Sequence, residues 1–201
     1  MGSSWIDLGV VALTFGAIFV VELPDKTFIA TLVLSTKFRP MLVWLGVGLA
    51  FTVQTAVAVA LGHAASFLPQ DAVRVLALAM FLAGAVILFR EGRSHHTETG
   101  DEFAAKAKDV TGFRAVGASF LVLFAAEWGD LSQLLTLTLV ARYEDPVSVF
   151  IGALGALLAV SGLAVLLGRA LLRVVPLHAL HYVGAAVCLL LAAFTAYELV
   201  A

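Results

Sequence analysis

The sequence predicts an all-α integral membrane protein with six transmembrane helices arranged as two inverted three-helix repeats. Three observations favour this fold class: an apolar composition, six apolar segments and an internal duplication. Hydrophobic residues make up 62% and charged residues 13% of the 201 positions, and the mean hydropathy is +1.04. A soluble domain has roughly half apolar and a quarter charged residues. The composition therefore excludes an ordinary soluble domain and leaves room for little more than spans and loops.

Six apolar segments account for most of the chain. They are about Leu8–Ser35, Met41–Ala64, Ala72–Phe89, Ala115–Val140, Val147–Leu167 and Leu177–Tyr197. Each is long enough to cross the hydrocarbon core, which needs about 20 residues. A lone segment in lipid satisfies its backbone hydrogen bonds only as a helix, so we expect six helices.

The positively charged residues are divided unevenly between the two ends of these spans. Nine of the 12 Lys and Arg residues fall in the 1–2, 3–4 and 5–6 connections, two fall on the opposite side, and Lys26 lies inside the first span. Cytoplasmic loops carry the excess of Lys and Arg. We therefore expect both termini outside and the 3–4 loop, residues 92–114, in the cytoplasm. The small size suggests a bacterial plasma membrane.

Other functional classes find little support in the residues. The net charge is −2, from 12 basic and 14 acidic side chains, and no basic patch indicates nucleic-acid binding. The single cysteine, Cys188, excludes a disulfide framework or a thiolate metal cluster. No Walker motif, Ser/His pair or His-rich span motif is present, so neither ATP drive nor an enzyme is expected. His95 and His96 in the central loop belong either to a solvated linker or to a regulatory metal or pH site.

The chain repeats an acidic motif at an offset of 105 residues. Glu22, Asp25 and Thr27 in the first span correspond to Glu127, Asp130 and Ser132 in the fourth, and Thr31 corresponds to Thr136. The predicted units are residues 8–91 for the first repeat, 92–114 for the linker and 115–198 for the second repeat. Three spans is an odd number, so the second unit enters the membrane in the opposite sense. Inverted repeats are typical of secondary transporters, whose substrates bind near the midplane between the repeats.

These acids are expected to bind a cation. A carboxylate at the bilayer centre costs about 2.5–3.5 kcal/mol on the insertion scale, and Glu and Asp three residues apart share one helix face. The candidate ligands, all oxygen donors, are Glu22, Asp25, Glu127, Asp130, Thr27, Ser132 and Gln133, with Gln54, Thr31 and Thr136 as secondary candidates. Hard oxygen ligands favour calcium, magnesium or manganese. Pro24 and Gly129 are expected to kink the two spans or to allow close approach.

The same acids are expected to carry protons when no metal is bound. Like charges and burial disfavour the ionised form of an acidic cluster, so metal entry would release protons, with Asp25 and Asp130 as the coupling groups. Lys26 is the one Lys or Arg residue in the first and fourth spans and would balance charge. A structural alternative stays open for it, because Glu22 and Lys26 are spaced to form an ion pair that only holds helices together.

The paired motif, Glu-x-Gly-Asp-Lys/Arg-Thr/Ser once in each half, resembles the GDT family of membrane cation/proton exchangers. That family includes bacterial manganese exporters and Golgi calcium/manganese transporters, and the resemblance covers essentially the whole chain. It implies export of manganese, and of calcium as the alternative ion, in exchange for protons, with no resident cofactor. By position it carries the acidic roles to Glu22, Asp25, Glu127 and Asp130. Here Pro24 replaces the glycine of the first motif and Leu131 the basic residue of the second.

Two other functions remain consistent with the residues. The first is a non-transporting membrane scaffold whose acids pair helices. The second is an exporter of organic cations or amino acids, for which Trp128 and Phe28 would supply an apolar pocket. The expected partners in the favoured reading are a divalent metal ion, protons and the lipid bilayer.

Overall fold

The computed structural model describes residues 6–23, 25–67, 69–93, 112–174 and 177–200. All regular structure in these ranges is helical. The eight helices are α1 (Leu8–Glu22), α2 (Lys26–Lys37), α3 (Pro40–Ala65), α4 (Gln70–Arg93), α5 (Arg114–Ala126), α6 (Leu131–Tyr143), α7 (Pro146–Val174) and α8 (Leu177–Val200). The all-α class is therefore confirmed. The 3–4 loop with His95 and His96, and the backbone of Pro24, lie outside the described residues.

The first and fourth predicted spans are each broken into two helices, and the expectation of one continuous helix in each is wrong. The axes of α1 and α2 differ by 71°, and those of α5 and α6 by 73°. Asp25 and Asp130 lie in the breaks with extended backbone (ψ 165° and 166°) and begin the second helix of each pair. Gly129 has φ +78°, a left-handed conformation that glycine adopts without a steric cost. The second repeat thus breaks at the same place as the first without a proline.

Three helices of the described chain are long and apolar enough to cross a membrane, within Pro40–Ala65, Asp71–Arg90 and Pro146–Leu166. Counting each bent pair as one span gives five. The sixth predicted span corresponds to α8, whose apolar part, Tyr182–Tyr197, is shorter. Apolar membrane-crossing helices are therefore present, and the count of six stays a prediction.

Helices α3 and α7 lie at the centre of the bundle. Helix α3 packs against α5, α6 and α7, while α7 packs against α1, α2 and α3. Helices α4 and α8 form the most extensive pair. In the two repeats α1 corresponds to α5, and α3 corresponds to α7. The contact of α1 with α7 is therefore equivalent to the contact of α5 with α3, and the packing has an approximate two-fold relation.

Glycines make these two helix crossings equivalent. A Cβ atom on Gly46 of α3 would overlap the carbonyl oxygen of Val116 in α5, and one on Gly152 of α7 would lie 2.6 Å from the carbonyl oxygen of Val11 in α1. The two glycines are 106 residues apart and the two valines 105. Small residues let helix backbones approach closely in a membrane. Each broken helix is therefore held against a central helix by the same kind of contact.

The start of α1 is tied to the start of α7. Asp7 caps α1, since its side chain accepts hydrogen bonds from Gly9 and Val10. Its own backbone N–H donates to Ser148 Oγ at 2.8 Å, and the Ser148 N–H donates to Asp145 Oδ1 at 3.1 Å. The beginnings of α1 and α7 and the end of α6 consequently lie on one face of the bundle.

Candidate cation site

The acidic side chains of the two repeats meet between the two helix breaks. One carboxylate oxygen from each of Glu22, Asp25, Glu127 and Asp130 lies within 4.8 Å of the others. Glu22 is fully buried and Glu127 is 3% exposed, while the two aspartates are half-buried. Calcium binds oxygens at about 2.3–2.6 Å, so one such ion can touch oxygens about 5 Å apart. The four acids are close enough to share a single cation.

The breaks explain how each acid reaches this point. Glu22 is the last residue of α1 and Glu127 directly follows α5, so both lie at a helix C-terminus. Asp25 and Asp130 directly precede α2 and α6 and lie at a helix N-terminus. Helix C-termini carry partial negative charge that favours a cation, whereas N-termini stabilise the ionised form of a nearby carboxylate. Each repeat therefore brings its acids in on two helix ends, rather than on one helix face as expected.

Hydroxyl groups of both repeats adjoin the acids. Thr27 Oγ1 donates a hydrogen bond to Glu22 Oε1 at 2.6 Å in a buried environment. Ser132 is 8% exposed and lines a cavity together with Glu127. Thr136 Oγ1 donates to the Ser132 carbonyl oxygen at 2.7 Å, one turn further along α6. The equivalent Thr31 is fully buried, and its hydroxyl has no hydrogen-bond partner among the described residues.

The two glutamines bind protein backbone. The Gln133 side-chain oxygen accepts a hydrogen bond from the Gly129 N–H at 2.9 Å, and its Nε2 makes a long contact of 3.5 Å to the Gln54 carbonyl oxygen. Gln54 Nε2 donates to the Phe124 carbonyl oxygen at 3.1 Å. Gln133 therefore holds the left-handed turn at Gly129 and links the second break to α3. Direct metal ligation by Gln133 and Gln54 stays a prediction.

A small cavity of about 10 Å³ lies beside Glu127. That volume is about the space that one water molecule needs. The lining residues are Phe51, Gln54, Thr55, Glu127, Ser132, Gln133, Thr136 and Leu157. These residues belong to α3, α6 and α7, apart from Glu127, which follows α5. Because Glu127 is one of the four acids, the cavity adjoins the acidic cluster.

Two features of the site were not expected from the sequence. One is the hydrogen bond that Gln133 makes to Gly129. The other is a separate apolar cluster in which Phe28 packs with Val160 and Ala164. The duplication carries a signal for both, because Phe28 is the counterpart of Gln133 at the offset of 105. Lys26 begins α2, but its side chain is outside the described part of the structure, which leaves the Glu22–Lys26 ion pair a prediction.

The chemistry of the site follows from its donors. Oxygen atoms of carboxylates, hydroxyls and amides are the ligands that hard divalent cations prefer. Four carboxylates within 4.8 Å would repel one another strongly if all were ionised without a counter-charge. A divalent cation or protons can supply that counter-charge. The arrangement can thus exchange one kind of positive charge for the other.

The comparisons with known proteins find one family and several related sequences. The family model described as "Divalent cation/proton antiporter GDT1" matches residues 10–96 and again residues 115–201. The chain is 29% identical over 224 residues to "Protein PAM71, chloroplastic" of Arabidopsis thaliana, which covers 98% of this chain and 60% of that protein. It is 28% identical over 195 residues to a "Putative manganese exporter" of Vibrio cholerae, covering 94% of this chain and 92% of that protein.

A cyanobacterial relative, "GDT1-like protein sll0615" of Synechocystis, is 29% identical over 144 residues, which cover 65% of this chain and 70% of that protein. The chain spans about 60% of the length of the Arabidopsis relative. No solved structure matches. The family model covers most of the chain in two matches, and the family is one of membrane transporters whose substrates are divalent cations and protons. The chain therefore belongs to the GDT1 family of divalent cation/proton antiporters.

Proposed function

We propose that this protein exports manganese from the cytoplasm in exchange for protons, with calcium as the alternative ion. The observation that carries the proposal is the convergence of Glu22, Asp25, Glu127 and Asp130 within 4.8 Å. The name of the Vibrio relative supports manganese as substrate and export as direction. Manganese and calcium both accept an all-oxygen site, and the metal is cargo rather than a resident cofactor.

Proton coupling follows from the shared use of the acids. In the absence of metal, some of the four carboxyl groups hold protons, because four ionised carboxylates in one buried cluster are unfavourable. A divalent cation displaces those protons when it binds. If the protons leave to the side opposite to that of metal release, metal and protons move in opposite directions. Asp25 and Asp130 are assigned to this step because they are half-buried, whereas both glutamates are buried.

The proposed architecture is six spans in two inverted repeats, residues 8–91 and 115–198, with residues 92–114 as the linker. The exchangeable α1–α7 and α5–α3 contacts support the inverted relation. The distribution of Lys and Arg supports a location of both termini outside and of the linker in the cytoplasm. We propose the bacterial plasma membrane as the site of action.

The alternative of an organic substrate finds no support in the site. The cavity beside Glu127 has a volume of about 10 Å³. Phe28 is buried in its own cluster, and Trp128 is 59% exposed and packs on Phe124 with ring centroids 5.0 Å apart. The aromatic side chains that such a substrate would need do not enclose a pocket.

Transport in proteoliposomes tests the proposal. Purified wild-type protein and the Asp130→Asn variant are reconstituted, a manganese or a calcium gradient is imposed, and internal metal and internal pH are followed together. We expect metal entry with opposite proton flux in the wild type and neither flux in Asp130→Asn. Asp71→Asn is the matched control, because Asp71 is an acid whose side chain is 86% exposed at the start of α4.

Two results would contradict the proposal. Full transport by Asp130→Asn would show that transport does not depend on the acid cluster. Absence of both fluxes in folded wild-type protein would favour the non-transporting scaffold.

A further inference from the structure

The two repeats surround the acids with different side chains at equivalent positions. Gln133 of α6 corresponds to Phe28 of α2 at the offset of 105, and Gln54 of α3 corresponds to Val160 of α7 at the offset of 106. The second repeat thus places two amides where the first places an aromatic ring and a valine. Duplication conserved the acids and changed their surroundings.

In the second half these polar side chains leave space for water. The cavity of about 10 Å³ runs from Glu127 past Ser132 to Thr136, with Gln54 and Gln133 in its wall. Hydrogen bonds from Gln54 Nε2 to the Phe124 carbonyl oxygen and from the Gly129 N–H to Gln133 Oε1 fix both amides. The cavity wall therefore combines the Glu127 carboxylate, fixed amides and hydroxyls with the apolar side chains of Phe51 and Leu157.

In the first half the equivalent space is filled. Phe28 is 1% exposed, and it packs with Val160 (2%) and Ala164 (0%). Thr31, three residues further along α2, is fully buried, and its hydroxyl lacks a hydrogen-bond partner among the described residues. A buried hydroxyl without a partner is unfavourable. Such a group is explained if water or an ion contacts Thr31 in another conformation.

We propose that the cavity beside Glu127 is an access subsite, a water-sized recess where amide and hydroxyl oxygens of Gln54, Ser132 and Thr136 contact a divalent cation on its way to the acids. Phe28 closes the equivalent route on the first repeat in this conformation. These neutral oxygens hold a cation more weakly than four carboxylates do, so the ion can pass on to the acids or leave. This inference rests on the proposed cation transport.

Cadmium binding to introduced cysteines tests the difference between the two routes. Cadmium is a divalent cation that binds thiolates, and the bond is visible by ultraviolet absorption. Thr136→Cys and Thr31→Cys place a thiol at equivalent positions of the two repeats. The native Cys188 is buried, so the wild-type protein provides the blank.

We expect Thr136→Cys to bind cadmium rapidly and manganese to slow that reaction. Thr31→Cys should react at least about tenfold more slowly, because a conformation that exposes it is populated at about 10% or less. Adding Phe28→Ala to Thr31→Cys should remove most of this difference. Phe81→Ala is the matched control, since Phe81 is equally buried in α4, outside the Phe28 cluster. Gln54→Cys and Val160→Cys form a second matched pair if a threonine variant does not fold.

Equal cadmium rates at the two positions, or a slow Thr31→Cys that Phe28→Ala does not accelerate, would overturn the assignment of Phe28. Failure of manganese to slow the reaction at Thr136→Cys would overturn the access subsite. Both results are compatible with metal transport in proteoliposomes. Loss of the proposed function would instead be seen as absence of that transport in the wild type.

Discussion

The two helix breaks have similar backbone conformations but different surrounding side chains. Both bend by just over 70°, and both end in an aspartate with extended backbone. The first break leads into a sealed apolar cluster around Phe28, whereas the second is held by Gln133 and adjoins a cavity. Duplication therefore explains why four acids converge, and later divergence explains why their two approaches are unequal. The converging acids are the proposed binding site, and the unequal surroundings are the basis for the proposed single access route.

The largest expected effect tests whether the two halves act as one site. Glu22→Gln and Glu127→Gln should each weaken manganese binding by about 10- to 100-fold, because each removes a charged ligand interaction of about 1.5–3 kcal/mol. Binding is measured by titration calorimetry on purified protein. Asp71→Asn should leave the affinity unchanged. A strong effect in only one repeat would mean that a single break binds the ion.

The next effect tests the equivalence of the two helix crossings. Gly46→Ala and Gly152→Ala should each lower the free energy of unfolding by about 1–3 kcal/mol, because the new Cβ overlaps a backbone carbonyl oxygen. Thermal unfolding in detergent measures the loss. Gly16→Ala and Gly117→Ala are controls, since a Cβ there meets nothing within 4 Å. Free energies of unfolding equal to those of the controls would show that the two helix crossings do not require glycine.

A smaller effect tests the support of the second break. Gln133→Leu keeps the side-chain size but removes the hydrogen bond to the Gly129 N–H. Such a bond contributes about 0.5–1.5 kcal/mol, so hydrogen exchange at Gly129 should accelerate about two- to tenfold. Mass spectrometry measures the exchange. Thr138→Val is the control, because the Thr138 hydroxyl bonds only to its own helix, at the Leu134 carbonyl oxygen. Unchanged exchange in Gln133→Leu would contradict the supporting role.

The smallest effect concerns Asp145, outside the membrane-spanning segments. Burial by itself would raise the pKa of this carboxyl, but hydrogen bonds with Ser148 and with the backbone N–H groups of Asp7 and Val147 outweigh burial and lower the pKa. A lowered pKa in the folded state stabilises the fold above the unfolded value of about 3.9, and that contribution is lost as pH falls through the folded value.

Asp145→Asn should consequently unfold at a lower temperature than the wild type at pH 7. The difference should disappear once the pH has fallen below the lowered folded-state pKa, where the wild-type carboxyl is also neutral. Melting curves at several pH values measure it. A difference that persists unchanged at low pH would show that Asp145 stabilises the protein without its charge.

Much of this arrangement could be predicted from the sequence. The apolar composition predicts membrane helices, and the repeated Glu and Asp predict that two acidic pairs meet. The bends of 71° and 73° could not be predicted, because hydropathy identifies Leu8–Ser35 and Ala115–Val140 as spans but does not report backbone direction. Pro24 and Gly129 indicate a kink or a close approach at these places, but neither residue type determines the bend angle. Metal ligation by the hydroxyls and amides stays a prediction.

The different surroundings of the two helix breaks could not be predicted from the repeated residues either. Aligning the two repeats emphasises identical residues such as Glu22 and Glu127. The difference in surroundings arises at a position where the repeats differ, Phe28 in the first and Gln133 in the second. Whether a side chain fills or lines a cavity depends on its neighbours on other helices, such as Val160 and Gln54. Those neighbours lie far away in sequence.

The central claim is that the acids of both repeats form one divalent-cation site. Its most direct test is the stoichiometry of manganese bound to purified protein, measured by electron paramagnetic resonance. We expect one high-affinity manganese ion per chain in the wild type. Asp25→Asn and Asp130→Asn should weaken its binding to a similar extent. Two independent ions per chain, or one that survives removal of either aspartate, would contradict it.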